Sequence, residues 1–185
     1  GIIITLGIIL AVVYVMTHSK RENIKNDDIL DLAIFLIPGS VVGARLYYVI
    51  FYGGYDSFLE IISFWNGGLA IYGGIIAGAL IVVAVSLIKK IKPLKMLDLI
   101  AQALLIGQAI GRWGNFFNSE AYGLPYDGWL KLYIAPQYRQ EPFVGVDYFH
   151  PTFLYESILD FCLFVILFKL LTRMKSGRIF LLYLI

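Results

Sequence analysis

The chain has 185 residues, of which 59% are hydrophobic and only 15% charged, and its formal net charge is +2. A soluble domain carries about 45–50% apolar and about 25% charged residues, so this composition predicts an integral membrane protein. The small net charge argues against nucleic-acid binding. A single cysteine, Cys162, supports neither a disulfide framework nor a metal cluster, and we expect no metal and no other cofactor.

Long apolar runs predict membrane-spanning helices. Five complete runs cover roughly residues 2–17, 29–51, 67–88, 96–112 and 152–172, and a sixth begins near Ile179. Each complete run approaches the ~20 residues that cross a ~30 Å hydrocarbon core. Helices satisfy their own backbone hydrogen bonds in lipid. The sequence therefore predicts an all-α, polytopic bundle of transmembrane helices.

The connecting segments alternate in charge. Three of them are rich in Lys and Arg: residues 18–28, 89–95 and 169–178. Segment 52–66 has no Lys or Arg, and segment 113–150 has only Lys131 and Arg139. Because basic loops stay in the cytoplasm, residue 1 and these two segments should lie outside. We expect one membrane domain over residues 1–185, truncated at both ends, with 113–150 as a small extracytoplasmic cap.

Arg45 is a charged residue inside the second apolar run, one to two turns from its outer end. Its side chain could snorkel to the lipid headgroups. Alternatively, it could face the bundle and bind an anion, since intramembrane charges usually mark functional sites. The sequence leaves these two interpretations open.

The third run opens with "WNGGLAIYGGIIAG", residues 65–78. Helix packing explains Gly74 and Gly78. It does not explain the glycine pairs on either side of Tyr72, and such pairs let backbone N–H groups approach an anionic ligand. Tyr72 itself suits either an interfacial aromatic belt or a hydroxyl donor in a site.

The stretch "GRWGNFFNSEAYG", residues 111–123, concentrates polar groups at the outer end of the fourth run. If it stays helical, Arg112, Asn115 and Asn118 share one broad face. A guanidinium suits phosphate because its planar fork donates two parallel hydrogen bonds. The amides would orient the ligand, and Glu120 would hold an Arg or accept a proton. The alternative is a structural network that ties the cap to the bundle.

The stretch "HPTFLYE", residues 150–156, opens the fifth run. Glu156 and Asp160 lie four residues apart on one helical face, so they need a cation or a water-filled cavity. Arg45 and Arg112 are the available cations, which predicts a polar pocket with Arg–acid pairs. His150 is expected to be a capping or supporting group.

These motifs resemble those of the prolipoprotein diacylglyceryl transferases, a family of bacterial inner-membrane enzymes. In "GRWGNFFNSEAYG" the agreement covers Gly111, Arg112, Gly114, Asn115, Phe116, Asn118, Glu120 and Gly123. The stretches "GARLYYVIF", "WNGGLAIYGGIIAG", "HPTFLYE" and "GRIFLLYLI" also resemble family blocks, in the family's order. The resemblance runs along essentially the whole chain.

The resemblance implies seven spans in the full-length protein, about five to six of them here, and an active site toward the outer leaflet of the bacterial plasma membrane. It implies transfer of a diacylglyceryl group from phosphatidylglycerol to the lipobox cysteine thiol in the signal peptide of a preprolipoprotein. A thioether forms and glycerol phosphate leaves. No nucleic-acid partner is implied.

The motifs together assign roles to particular residues. Catalytic roles fall to Tyr72, Arg112 and Glu120. Substrate-binding roles fall to Arg45, Gly68, Gly73, Gly74, Arg112, Asn115, Asn118 and Gly123. Supporting roles fall to His150 and Glu156.

The chain departs from the family pattern at two places. Many members have His where this chain has Tyr72, and the family's essential Arg after the sixth span would lie beyond Ile185. The alternative classes are a secondary transporter and a structural membrane protein. A transporter predicts repeated halves, which the sequence lacks, and a structural protein has no need of the polar cluster.

Overall fold

A computed structural model describes residues 1–54, 57–171 and 173–185 of the chain. The helices are α1 (Ile2–His18), α2 (Asn26–Tyr52), α3 (Phe58–Ile62), α4 (Ile71–Ile88), α5 (Pro93–Asn118), α6 (Thr152–Leu170) and α7 (Arg178–Leu184). Two short antiparallel strands, β1 (Leu132–Tyr133) and β2 (Tyr148–Phe149), lie within 113–150. Tyr55 and Asp56 of the predicted loop 52–66, and Thr172 at the end of the predicted fifth span, lie outside the described residues.

The helices match the predicted membrane spans. Within the described part of the chain, four segments are long and apolar enough to cross a membrane: Ile2–Glu22, Asn26–Tyr52, Ile71–Ile88 and Pro93–Asn118. Helix α6 is as long, but it carries Glu156, Asp160 and Lys169. Large hydrophobic side chains on these helices are exposed, as expected where lipid is the solvent. The prediction of an all-α membrane bundle is confirmed.

The chain forms two compact units. The first comprises Gly1–Val15 and Asp98–Ile185, and the second comprises Met16–Leu97. The second unit is organised by α2 and α4, which pack closely along their small residues. The second unit also contains ion pairs. Lys89, directly after α4, pairs with Asp31 and with Asp28, the latter at 3.2 Å. The hydrogen bond with Asp31 is the main cause that raises the pKa of Lys89.

Gly73 lies at a close contact between α2 and α4. A Cβ there would overlap the Gly43 carbonyl and the Tyr47 side chain, and it would lie 2.9 Å from Ala44 Cα. A Cβ on Gly74 would meet its nearest atoms at 3.4 and 3.6 Å, which is close to ordinary contact. Helix packing therefore requires glycine at residue 73 more strictly than at residue 74. The sequence had suggested ligand approach as the reason for Gly73.

This contrast gives a matched pair of substitutions. We expect Gly73→Ala to lower the free energy of unfolding by about 1–3 kcal/mol, because the added methyl overpacks the helix contact. Gly74→Ala should be neutral or slightly stabilising, since Ala favours a helix over Gly by up to about 1 kcal/mol. Unfolding of the purified variants in mild detergent, followed by circular dichroism, measures both. Equal effects at the two positions would refute the packing assignment.

In the first unit, α5 is held by buried polar contacts. Gln102 is fully buried; it accepts a hydrogen bond from the Tyr14 hydroxyl and donates to the Leu167 carbonyl at 3.1 Å. The Asp98 carboxylate accepts hydrogen bonds from the Gly177 N–H at 2.6 Å and the Phe180 N–H at 2.8 Å, at the start of α7. These two backbone N–H groups belong to the N-terminus of α7, where a negative charge is favourable.

Candidate active site

The polar stretch 111–123 begins on α5 and ends in a turn. The helix continues to Asn118, six residues beyond the predicted end of the fourth run, so Arg112, Asn115 and Asn118 lie on its last two turns. It ends there because Ser119 (φ 52°) and Ala121 (φ 50°) adopt left-handed backbone conformations. The Glu120 N–H then donates back to the Asn115 carbonyl at 3.0 Å.

The Glu120 carboxylate organises the two amides. Its Oε1 atom accepts hydrogen bonds from Asn115 Nδ2 at 3.2 Å and from Asn118 Nδ2 at 3.0 Å. An ionised carboxylate only accepts hydrogen bonds, so it fixes which end of each amide faces it. The amide oxygens thus remain as acceptors for a ligand hydroxyl.

Arg112 on α5 pairs with Glu156 on α6. Arg112 Nη2 lies 2.6 Å from Glu156 Oε2, and the two side chains are 42% and 44% exposed. That carboxylate oxygen accepts no hydrogen bond from the described residues, so the contact is an ion pair. Asp160 follows one helical turn after Glu156. The expected Arg–acid pair is therefore present, but Glu156 holds Arg112, whereas Glu120 holds the amides.

Aromatic side chains support this end of α5. Trp113 packs edge-on against Phe153 with ring centroids 5.4 Å apart, and Phe116 lies 5.1 Å from the same ring. Trp113 Nε1 also donates to Ser157 Oγ at 3.2 Å, and that hydroxyl donates to the Ala109 carbonyl at 2.7 Å. These contacts fix α5 to α6 on the turns that carry Arg112 and Glu156.

Gly123 and His150 join the polar stretch to the start of α6. The Gly123 N–H donates to the His150 carbonyl at 3.0 Å, and a Cβ on Gly123 would lie 2.8 Å from His150 Cβ. The His150 ring stacks on Tyr126 and lies 3.1 Å from the Tyr155 hydroxyl through Nδ1. The absence of a side chain at residue 123 allows this close approach of two backbone segments.

Arg45, in the second unit, contacts backbone carbonyls. Its side chain is 8% exposed. Nε donates to the Ile61 carbonyl at 2.8 Å, Nη2 to the Glu60 carbonyl at 2.5 Å, and Nη1 to those of Gly67 and Gly68 at 2.9 Å each. These donors of Arg45 therefore face protein carbonyls, and anion binding by this residue stays a prediction.

The glycine pairs around Tyr72 have different environments. Gly67 (φ 91°) and Gly68 (φ 70°) adopt backbone conformations that favour glycine, so α4 begins at Ile71, four residues after the predicted start. The N–H groups of Gly73 and Gly74 donate to the Ala70 carbonyl at 3.1 and 3.3 Å. Tyr72 is 66% exposed, and its ring centroid lies 6.4 Å from that of Tyr47.

Sequence reasoning missed Asp98 and Ser157. Asp98, near the start of α5, binds the N-terminus of α7, and Ser157 links α6 to α5 beside Trp113. The signal for Asp98 was a lone acid inside the fourth apolar run. Ser157 gave no signal, because a hydroxyl in an apolar helix is common. No group of three or more His, Cys, Asp or Glu residues suitable for a metal occurs in residues 1–54, 57–171 and 173–185.

Comparison with known proteins identifies the family. The family model for prolipoprotein diacylglyceryl transferase matches residues 1–185. The chain belongs to this family. It is 45% identical over 191 residues to the phosphatidylglycerol–prolipoprotein diacylglyceryl transferase of Streptococcus agalactiae serotype Ia, covering 100% of this chain and 73% of that protein.

Relatives from other bacterial groups carry the same name. The chain is 42% identical over 193 residues to the enzyme of Nostoc sp., covering 100% of this chain and 68% of the relative. It is 46% identical over 189 residues to that of Finegoldia magna, covering 100% and 72%. The family resemblance seen in the motifs is confirmed, and the apolar helices make this member of the family a multi-pass membrane protein.

Proposed function

We propose that this protein transfers the diacylglyceryl group of phosphatidylglycerol to the lipobox cysteine of a preprolipoprotein. The names of its relatives give phosphatidylglycerol, prolipoprotein and diacylglyceryl transfer for those proteins. It is a transferase, and its two substrates are a phospholipid and a prolipoprotein. The observation that carries the site assignment is the Arg112–Glu156 pair beside the Glu120-bound amides of Asn115 and Asn118.

Arg112 is proposed to bind the phosphate of phosphatidylglycerol. The guanidinium remains charged at every physiological pH and presents parallel donors that fit two phosphate oxygens. In the ion pair Glu156 Oε2 lies against Nη2, so Glu156 is proposed to orient the fork and leave other donors for the lipid phosphate. Asn115 and Asn118 then accept hydrogen bonds from the glycerol hydroxyls of the headgroup.

The reaction is a substitution at carbon. The sulfur of the lipobox cysteine attacks the glyceryl carbon that bears the phosphate ester, and a C–S bond forms as the C–O bond breaks. The leaving oxygen takes the bonding electrons, and glycerol phosphate departs. Because charge builds on this oxygen in the transition state, an Arg112 aimed at the phosphate accelerates the step.

The thiol must lose its proton for this attack. A free cysteine has a pKa of about 8.5, so a positive field that favours the thiolate is sufficient at neutral pH. Tyrosine, with an ordinary pKa of about 10, is a weak base. We therefore propose that the positive charge of arginine, by favouring the thiolate, is the main source of thiol activation. Tyr72 is kept as a second catalytic candidate because many family members have His at that position.

The remaining candidates have supporting or binding roles in this proposal. Gly123 and His150 fix the segment after α5 to the start of α6, which keeps Glu120 in place. Gly68, Gly73 and Gly74 are proposed to shape the first turn of α4 around Tyr72 for substrate. Residues 113–150, which contain β1 and β2, are proposed to form an extracytoplasmic cap on one membrane domain.

The alternation of basic segments supports a location in the bacterial plasma membrane with the active site toward the outer leaflet. Fusion reporters placed after residues 24 and 130 test this orientation. Alkaline phosphatase should be active only at the second position, and a cytoplasmic reporter only at the first. The reverse pattern would contradict the proposed orientation.

The activity itself is tested with the full-length protein in vesicles that contain phosphatidylglycerol and a lipobox peptide. We expect the peptide to gain the mass of one diacylglyceryl group, and vesicles of phosphatidylcholine alone to give no product. A Cys→Ser peptide is the matched control and should stay unmodified. Solute uptake by the vesicles without any peptide modification would support a transporter.

A further inference from the structure

Arg45 links two separate parts of the segment between α2 and α4. Glu60 and Ile61 are near the C-terminus of α3, whereas Gly67 and Gly68 form the turn that leads into α4. One guanidinium donates to the carbonyls of all of them. We propose that Arg45 is a positioning residue, which fixes residues 57–70 on α2 and thereby positions the first turn of α4, which carries Tyr72.

The chemistry of the acceptors explains why the residue is arginine. The last carbonyls of a helix have no intrahelical partner, and those of a turn are often unpaired as well, so they are available to a side-chain donor. Among the acceptors of Arg45, the Glu60 carbonyl also accepts from the Ser63 N–H at 3.3 Å. A planar guanidinium offers five N–H donors in fixed directions, so it can serve several carbonyls at once. A lysine at this place would offer three donors from a single nitrogen and could not span both parts.

Gly68 provides the space that Arg45 occupies. Its φ of +70° favours glycine, and a Cβ there would overlap Arg45 Nη1 and lie 2.8 Å from the Tyr48 ring. The requirement for glycine is therefore steric as well as conformational. Gly54 has a similar φ of +76°, but a Cβ there would meet nothing within 4 Å. The chain thus offers a matched control for the Arg45 contact.

A backbone hydrogen bond next to Arg45 connects these contacts to the start of α4. The Ala70 N–H donates to the Ala44 carbonyl at 3.0 Å, one residue before Arg45 on α2. The Ala70 carbonyl in turn accepts from the N–H groups of Gly73 and Gly74. Displacing Gly67 and Gly68 would therefore shift the first turn of α4. The consequence for catalysis rests on the proposed function, since it acts through Tyr72.

The test compares the full-length wild-type protein with Arg45→Lys, Arg45→Gln, Gly68→Ala and Gly54→Ala in phosphatidylglycerol-containing nanodiscs. Hydrogen exchange measured by mass spectrometry reports on residues 57–70. We expect both Arg45 variants and Gly68→Ala to exchange there at least about tenfold faster, the factor that one lost charge-assisted hydrogen bond corresponds to. Peptides from β1 and β2 should match wild type. Gly54→Ala carries a similar backbone strain without the overlap with Arg45, so it should speed exchange in residues 57–70 clearly less than Gly68→Ala does.

Transfer kinetics on the same samples separate positioning from charge. We expect kcat per folded molecule to fall to a similar extent in Arg45→Lys, Arg45→Gln and Gly68→Ala. If Arg45 instead bound the lipid phosphate directly, Arg45→Lys would retain most of the activity that Arg45→Gln loses. The substitutions would then raise KM for phosphatidylglycerol and leave hydrogen exchange in residues 57–70 unchanged. That result would overturn the proposal. The exchange measurement decides it even if the protein transferred nothing.

Discussion

We expect Arg112→Lys to lower the rate of diacylglyceryl transfer by about 10²–10³-fold, the usual cost of removing one group that stabilises transition-state charge. Lysine keeps the positive charge, but it cannot both pair with Glu156 and present parallel donors to a phosphate. The loss should fall mainly on kcat, because the leaving phosphate oxygen gains charge only as the C–O bond breaks. Initial rates with a lipobox peptide and phosphatidylglycerol vesicles measure it.

The control for this substitution is Arg173→Lys, which makes the same chemical change at an exposed arginine outside the candidate site. Its rate should stay within about twofold of wild type, as for most exposed substitutions. A rate for Arg112→Lys close to that of the control would remove the phosphate-binding role of Arg112. Unfolding curves for both variants show whether either change acts through stability.

Glu156→Gln should lower the rate by about tenfold, which corresponds to ~1.4 kcal/mol of coupling between two residues in contact. The substitution removes the charge that orients the Arg112 fork and keeps the size of the side chain. Because Glu156 acts through Arg112, the double variant with Arg112→Lys should be no slower than Arg112→Lys alone. A double-variant cycle on kcat measures this coupling.

Segment 113–150 provides a second Arg–acid ion pair for comparison. Arg139 Nη2 lies 2.6 Å from Asp147 Oδ1, the same separation as between Arg112 and Glu156. Asp147→Asn should therefore leave transfer nearly unchanged, while Glu156→Gln slows it. Additive losses in the cycle, or equal losses at the two pairs, would contradict a positioning role for Glu156.

The helical architecture was predictable because apolar runs of membrane length have few alternatives in lipid. The start of α4 was placed too early, since hydropathy counts Gly67 and Gly68 as part of the run, whereas their positive φ values place them in a turn. The end of α5 was placed too early for the opposite reason. The polar residues after Gly111 lower hydropathy, yet the backbone continues as a helix to Asn118.

The candidate site shows a similar division. A helix that continues past Arg112 necessarily brings Asn115 and Asn118 to the same face, and spacing alone predicted this. Which acid pairs with which donor depends on where α6 lies beside α5, and spacing carries no such information. Glu156 pairs with Arg112, one of the two cations considered for it, whereas Glu120 contacts the two amides rather than an arginine. Likewise, the carbonyl partners of Arg45 come from a turn more than a dozen residues away.

The sequence by itself determined the membrane class, the family and the residue types of the site, because composition, hydrophobic run length and motif order are properties of the chain. Only the tertiary structure decided the partners. It assigned Glu156 to Arg112 and Glu120 to the amides. It also assigned four backbone carbonyls to Arg45, those of Glu60, Ile61, Gly67 and Gly68. The reason is physical: charged and polar side chains pair with whatever complementary groups lie within reach, and packing between distant segments selects those groups.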